Sequence, residues 1–291
     1  MIHRMLIAAA MLGTSPVAAA AGNDCRIDAL DIQPDNVTAA YDPFDVAPVS
    51  EEFRIDVRTR DCPSNRNLFL SLGSNDPSSY DGRTIRLLGG SGEVLIARLS
   101  DRSSAQGSRP NDSFNVKEGL TPLYLLIDSA QVVSPGTYRA SMQAYAMLNQ
   151  GNNTPRIGQP FDLSVTVAPA VGLAAASGSE LNLGELGDQD RAVSNVTFDA
   201  YANVAYELNL SSDNDFQLRR ANDSSRGIDY RPVVDDAVVP SGQARVDYPT
   251  PKGEANRRRH QLNVVVPSVG NAPAGSYRDY LTVTIKPKFG G

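Results

Sequence analysis

Apolar residues recur at every second position in several short runs: Phe53-Arg-Ile-Asp-Val57, Leu68-Phe-Leu-Ser-Leu72, Phe161 to Val167 and Leu281 to Ile285. That period is the signature of half-buried strands, and helix-period stretches are scarce. Turn-formers separate the runs, as in Gly73-Ser-Asn-Asp-Pro77, Gly89-Gly-Ser-Gly92 and Asn149-Gln-Gly-Asn-Asn153. Short strands punctuated by Gly, Asn and Pro predict an all-β chain of antiparallel β-sandwiches of the immunoglobulin-like type.

The pattern also repeats. Leu123-Tyr-Leu-Leu-Ile through Pro135-Gly-Thr-Tyr138 aligns with Leu262-Asn-Val-Val-Val through Ala274-Gly-Ser-Tyr277 at a constant offset of 139. Leu68 to Leu72 aligns with Tyr206 to Leu210 at 138. Solenoid periods run at about 20–50 residues, so a period this long means two homologous domains. The expected division is a leader over 1–21, a first sandwich over 22–170 and a second over 171–291, with a linker from Ala168 to Ser179. Tyr138 and Tyr277 each open the penultimate strand of a copy. They are expected to pack their rings on the core and to bond backbone through their hydroxyls.

The copies end differently. After Tyr138 the first runs through a strand to Leu148 and then a second one carrying Phe161, Leu163, Val165 and Val167. After Tyr277 the second shows one strand, with Leu281, Val283 and Ile285. The second sandwich is therefore expected to lack its last strand. A groove should remain, floored by Leu281, Val283 and Ile285, which an alternating strand from another chain can fill by β-augmentation. Burying about four large apolar residues at roughly 1.5–3 kcal/mol each is worth something near 6–12 kcal/mol. Cys25-Arg-Ile-Asp-Ala-Leu-Asp-Ile32 already reads as core strand, so the chain is expected to receive a strand and to have none to give.

Composition narrows the function classes. Met1-Ile-His-Arg4, an apolar run to Leu12 and small residues to Ala21 have the layout of a cleaved secretory signal. In an oxidising compartment the two cysteines, Cys25 and Cys62, are expected to form one disulfide. The second copy has Ala200 in the place aligned with Cys62. A net charge of −6 argues against a nucleic-acid partner. The basic run Arg257-Arg-Arg-His260 reads as a solvated strand entrance, with docking of an acidic partner as the alternative. No cofactor or metal is expected, and catalysis is not: beyond the leader the only histidine is His260, whose surroundings read as solvated.

Three stretches of the second copy carry a resemblance. Leu181-Asn-Leu-Gly-Glu-Leu186, Tyr206-Glu-Leu-Asn-Leu210 and Ala274-Gly-Ser-Tyr-Arg-Asp-Tyr-Leu-Thr-Val-Thr-Ile285 resemble the spore coat protein U type domain of archaic chaperone–usher pilus subunits. Tyr41-Asp-Pro-Phe44, Cys25, Cys62 and Pro135-Gly-Thr-Tyr138 extend the likeness loosely to the first copy. The resemblance implies a two-domain tip adhesin displayed on the cell surface. Its partners would be a periplasmic chaperone, an outer-membrane usher, an adjacent pilin donating a strand, and a surface or receptor bound during attachment and biofilm formation. Leu87-Leu88 and Met147-Leu148 are candidate contact residues of the first domain, or else strand ends packed into its core. The alternative function is a periplasmic assembly chaperone, which also carries two immunoglobulin-like domains but completes both.

Overall fold

A computed structural model describes residues 25–288 apart from 35, 63–66, 75, 77, 83, 103–112, 149–155, 176–179, 188–190, 221–222, 239–243 and 253–255. The expected leader, the second half of the Met147–Gln150 segment and the end of the expected linker lie outside the described residues.

Domain 1 holds ten strands: β1 (Arg26–Gln33), β2 (Asn36–Tyr41), β3 (Val49–Arg60), β4 (Leu68–Gly73), β5 (Ile85–Gly89), β6 (Val94–Ser100), β7 (Ser113–Val116), β8 (Gly119–Ile127), β9 (Gly136–Leu148) and β10 (Arg156–Val167). They pair in the order β1-β3-β8-β6-β5-β9-β10-β2, with β4 joining β9 to β7. The alternating runs supply the core directly. Phe53, Ile55 and Val57 of β3 share the core with Leu123, Leu125 and Ile127 of β8, with Phe53 opposite Leu123, while Phe161, Leu163, Val165 and Val167 enter from β10. One pairing departs from the antiparallel expectation. β10 runs antiparallel to β9 and parallel to β2, from Asp162 opposite Asn36 to Val167 opposite Tyr41.

Domain 2 holds eleven strands in three smaller sheets: β11 (Val171–Ala175), β12 (Arg191–Ala202), β13 (Tyr206–Ser212), β14 (Gln217–Arg220), β15 (Asp223–Asp229), β16 (Arg231–Val234), β17 (Ala237–Val238), β18 (Ala244–Tyr248), β19 (Arg257–Val266), β20 (Tyr277–Arg278) and β21 (Leu281–Pro287). The orders are β11-β12-β19-β16-β17, β18-β13-β21 and β15-β14-β20. Its separate core gathers Phe198, Tyr206, Leu208, Tyr230, Leu262 and Val264. The linker is shorter than expected, because Val171 already pairs with Ala202, leaving 168–170 between the sheets.

Both tyrosines do what their place in the repeat suggests. Tyr138 shares its hydroxyl proton between the Ser134 carbonyl at 2.8 Å and Glu93 at 3.0 Å, and Tyr277 donates to the Pro273 carbonyl at 2.6 Å. Gly89 lies so close under the Tyr138 ring that a Cβ there would stand 2.6 Å from it.

The disulfide is present, joining Cys25 to Cys62. Its counterpart in domain 2 needs correction. Val57 pairs with Gly119, and Ala200 pairs with Arg258, the residue at offset 139 from Gly119. Ala200 therefore stands in for the buried Val57, and the place of Cys62 falls to Ala205. The loop before the third strand differs in length between the copies and β12 carries a bulge between Ser194 and Val196, so one offset does not hold along the whole repeat. Cys25–Cys62 closes a loop of 37 residues, which by chain entropy is worth about 4 kcal/mol. Reduction should lower the denaturant midpoint of domain 1 accordingly and leave that of domain 2 in place, as tyrosine fluorescence and circular dichroism would record.

Candidate functional site: an open sheet edge

The register of β13 and β21 reproduces that of β4 and β9. Leu208 faces Ile285 and Leu210 faces Val283, as Leu70 faces Ala146 and Leu72 faces Ala144. In domain 1 the far edge of β9 is paired with β10 along its whole length. In domain 2 the far edge of β21 pairs with no strand among the described residues.

Burial registers that difference residue by residue. Met142, Ala144 and Ala146 are 2%, 0% and 0% exposed beneath the completed sheet. Their counterparts Leu281, Val283 and Ile285 are larger, yet all three are only half-buried. They rest on the domain 2 core from the side without being covered. Leu181-Asn-Leu-Gly-Glu-Leu186 follows β11 in the chain as β2 follows β1. Leu181, Leu183 and Leu186 pack against the core, but the segment joins no sheet. In domain 1 β10 lies between β9 and β2; in domain 2 no described strand other than β13 pairs with β21. The site is thus a half-covered apolar strip beside a row of backbone groups with free hydrogen-bonding capacity. It offers what an unpaired strand offers: backbone donors and acceptors beside apolar side chains.

Asp279 anchors one end of this strip. Its carboxylate accepts from the Ser212 and Tyr230 hydroxyls at 2.5 Å each and from Asn214 Nδ2 at 3.0 Å. Those bonds hold the break between β20, which pairs with β14, and β21, which pairs with β13.

The residues expected to meet a surface fare differently. Leu87 and Leu148 are 0% and 4% exposed, because both occupy inward positions of β5 and β9. Neither can contact a target from there. Met147 is half-buried and Leu88 is 46% exposed, on the flank of the sandwich.

His260 also needs correction. It is fully buried, not solvated, because it takes an inward position of β19. The Asp235 carboxylate can only accept, so the 2.6 Å contact to Nδ1 places the proton there. Nε2 then accepts from the Tyr206 hydroxyl at 2.7 Å. Phe198 stacks on the ring and Tyr248 meets it edge-on. Sequence reasoning missed this cluster, since its members are far apart in the chain. The preceding arginines are likewise engaged: Arg259 forks onto Asp199 at 3.0 and 3.3 Å, and Arg258 lies over the Tyr248 ring. Asp199 is held below the usual carboxylate range by Arg259.

No family model matches the chain, and neither does any curated protein. Solved structures do. The chain is similar to one in the CsuC–CsuE chaperone–tip adhesion subunit pre-assembly complex from archaic chaperone–usher Csu pili of Acinetobacter baumannii, with a TM-score of 0.51 and 13% identity, covering 90% of this chain and 99% of that one. A looser likeness is to CfaE, the adhesive subunit of CFA/I fimbria of enterotoxigenic Escherichia coli, with a TM-score of 0.38 and 13% identity over 87% and 92% of the two chains. The first likeness shows the fold: all-β and immunoglobulin-like over nearly the whole length.

Burial depresses the His260 pKa, outweighing the Asp235 carboxylate that pulls it upward. Hydrogen bonds from the Gln261 N–H and His260 bring the Asp235 pKa down, although burial alone would raise it. A histidine held neutral by the fold stabilises it fully above its unfolded value of about 6.5, and the contribution is lost as pH falls from there toward the folded value. Asp235 acts in the same direction, but only near and below about pH 4. Between pH 7.5 and 5.5 the denaturant midpoint of domain 2 should therefore fall, and His260→Gln should flatten that slope.

Proposed function

We propose that this protein is the tip subunit of a chaperone–usher pilus, in which domain 1 meets the surface or receptor and domain 2 joins the fibre by taking a strand from a neighbouring pilin. The observation that carries this reading is the half-covered row of Leu281, Val283 and Ile285 beside an open edge, where domain 1 covers the same row with β10. A closed sandwich needs nothing from outside and is free to bind a target; an open one needs a partner to be stable. Before assembly a periplasmic chaperone would hold the edge, and an outer-membrane usher would exchange that strand for the pilin's. The product is a cell-surface adhesin for attachment and biofilm formation, and its work is entirely non-covalent.

The internal template sets the register of the incoming strand. Phe161 lies opposite Met142 and Val165 opposite Tyr138. A donor antiparallel to β21 would thus place apolar residues opposite Leu281 and Tyr277. Its leading end would lie near Ile285. Tyr206, which pairs with Pro287, stands three residues after Asn203, whose N–H donates to the Ala170 carbonyl at the interdomain junction, whereas Leu281 pairs with Ser212 six residues on, about 20 Å away. The donor chain would therefore leave domain 2 at the end remote from domain 1, which keeps the fibre in line.

A synthetic peptide of the β10 sequence, Arg156–Val167, supplies the test. Added to the full chain it should bind and raise the unfolding midpoint of domain 2. Val283→Asp should weaken that binding at least about tenfold, equivalent to roughly 1.4 kcal/mol. A domain 2 that is stable and monomeric without peptide, and indifferent to it, would instead fit an assembly chaperone with both folds complete.

A further inference from the structure

The start of a sandwich has to be fastened to its body, and the two domains do this by different means. In domain 1 Cys25 is tied to Cys62. Leu30 pairs with Val57 as Leu173 pairs with Ala200, and Ile27 pairs with Thr59 as Val171 pairs with Ala202, because β1 carries a bulge between Ile27 and Ala29 that β11 lacks. The places of the two cysteines thus fall to Pro169 and Ala205, and no covalent tie is available there.

Asn203 takes over that task. It is 1% exposed, and its backbone N–H and both ends of its amide are engaged. The N–H donates to the Ala170 carbonyl at 3.2 Å, and Oδ1 accepts from the Ala170 N–H at 2.8 Å. Nδ2 donates to the Ala168 carbonyl at 3.0 Å and to the Val133 carbonyl at 3.2 Å. Val133 belongs to domain 1, between β8 and β9, so the last bond crosses from one sandwich to the other. The linker is gripped from the domain 1 side as well. The Ala168 N–H donates to the Tyr41 carbonyl, while the Tyr41 hydroxyl donates to the Asp128 carbonyl and accepts from the Gln131 N–H. Beside this knot Phe44 of domain 1 meets the Tyr201 ring of domain 2 edge-on, with centroids 6.4 Å apart.

We infer that Asn203 is a positioning residue that locks the two domains in a single orientation, so that Ala168-Pro169-Ala170 is a rigid elbow and not a hinge. Small residues at a domain boundary ordinarily allow free motion. Here one buried amide commits both of its N–H donors and its carbonyl oxygen to forbid it. The direction in which domain 1 points is then fixed relative to domain 2, whatever domain 2 is attached to.

The test is the spread of interdomain distances in the full chain. Nitroxides at Ser50→Cys and Ala237→Cys label selectively, because both native cysteines are consumed in the disulfide. Pulsed dipolar spectroscopy should give one narrow distance peak. Asn203→Ala should broaden that peak at least twofold, whereas Val264→Ala, which weakens domain 2 from within its core, should leave the peak narrow, a separation that a purely local folding role would not produce. A broad distribution in the parent chain, or an unchanged narrow one in the variant, overturns the inference. If Asn203→Ala does not fold, Asn203→Ser, which keeps an acceptor for the Ala170 N–H, is read in the same way.

Discussion

Each strand of a sandwich has two edges to satisfy as well as one face to bury, and the edge shared by the last two strands governs this molecule. In domain 1 twelve residues of β10 close the edge of β9, and the side chains beneath them are sealed. In domain 2 the same edge pairs with no strand among the described residues, and side chains at the same positions stay half wet even though they are larger. An apolar strip beside unpaired backbone is costly in water and favourable once an extended chain covers it. Recognition by such a site needs few special residues, since main-chain bonds supply the affinity and alternate side chains supply the selection.

Much of this was legible in the residues because strand burial has a period of two. The runs around Phe53, Leu68, Phe161 and Leu281 are strands with the inward residues that alternation implies. The repeat at offset 139 fixes both β9 and β21. What alternation does not show is which inward positions sit at strand ends. Leu87 and Leu148 adjoin turn-formers, which leaves contact residue and packed strand end both open, and the strands reach far enough to bury them. His260 follows three arginines and reads as wet for the same reason: neighbours in sequence point to the opposite face of a strand.

Contacts built from distant segments were beyond sequence reasoning altogether. Tyr206, Asp235 and His260 converge from three strand regions. Asn203 joins Val133 across 70 residues. A single alignment offset also failed upstream of β4, where a bulge and an altered loop shift the copies by several residues, and so Ala200 was matched with the wrong partner. Both domains nevertheless solve the same problem at the same place, one with a covalent tie and the other with an amide.

The alternation along β21 has a further consequence. Half-buried positions fall on every second residue from Leu281 to Pro287. A strand laid beside it by main-chain bonding can therefore slip by two places and still turn its greasy side inward, but a slip of one place turns every such group toward water. For the strand proposed to bind there, the strip would work as a parity filter: guests misaligned by an odd step would be rejected, and only even steps would be left for side-chain shape to sort.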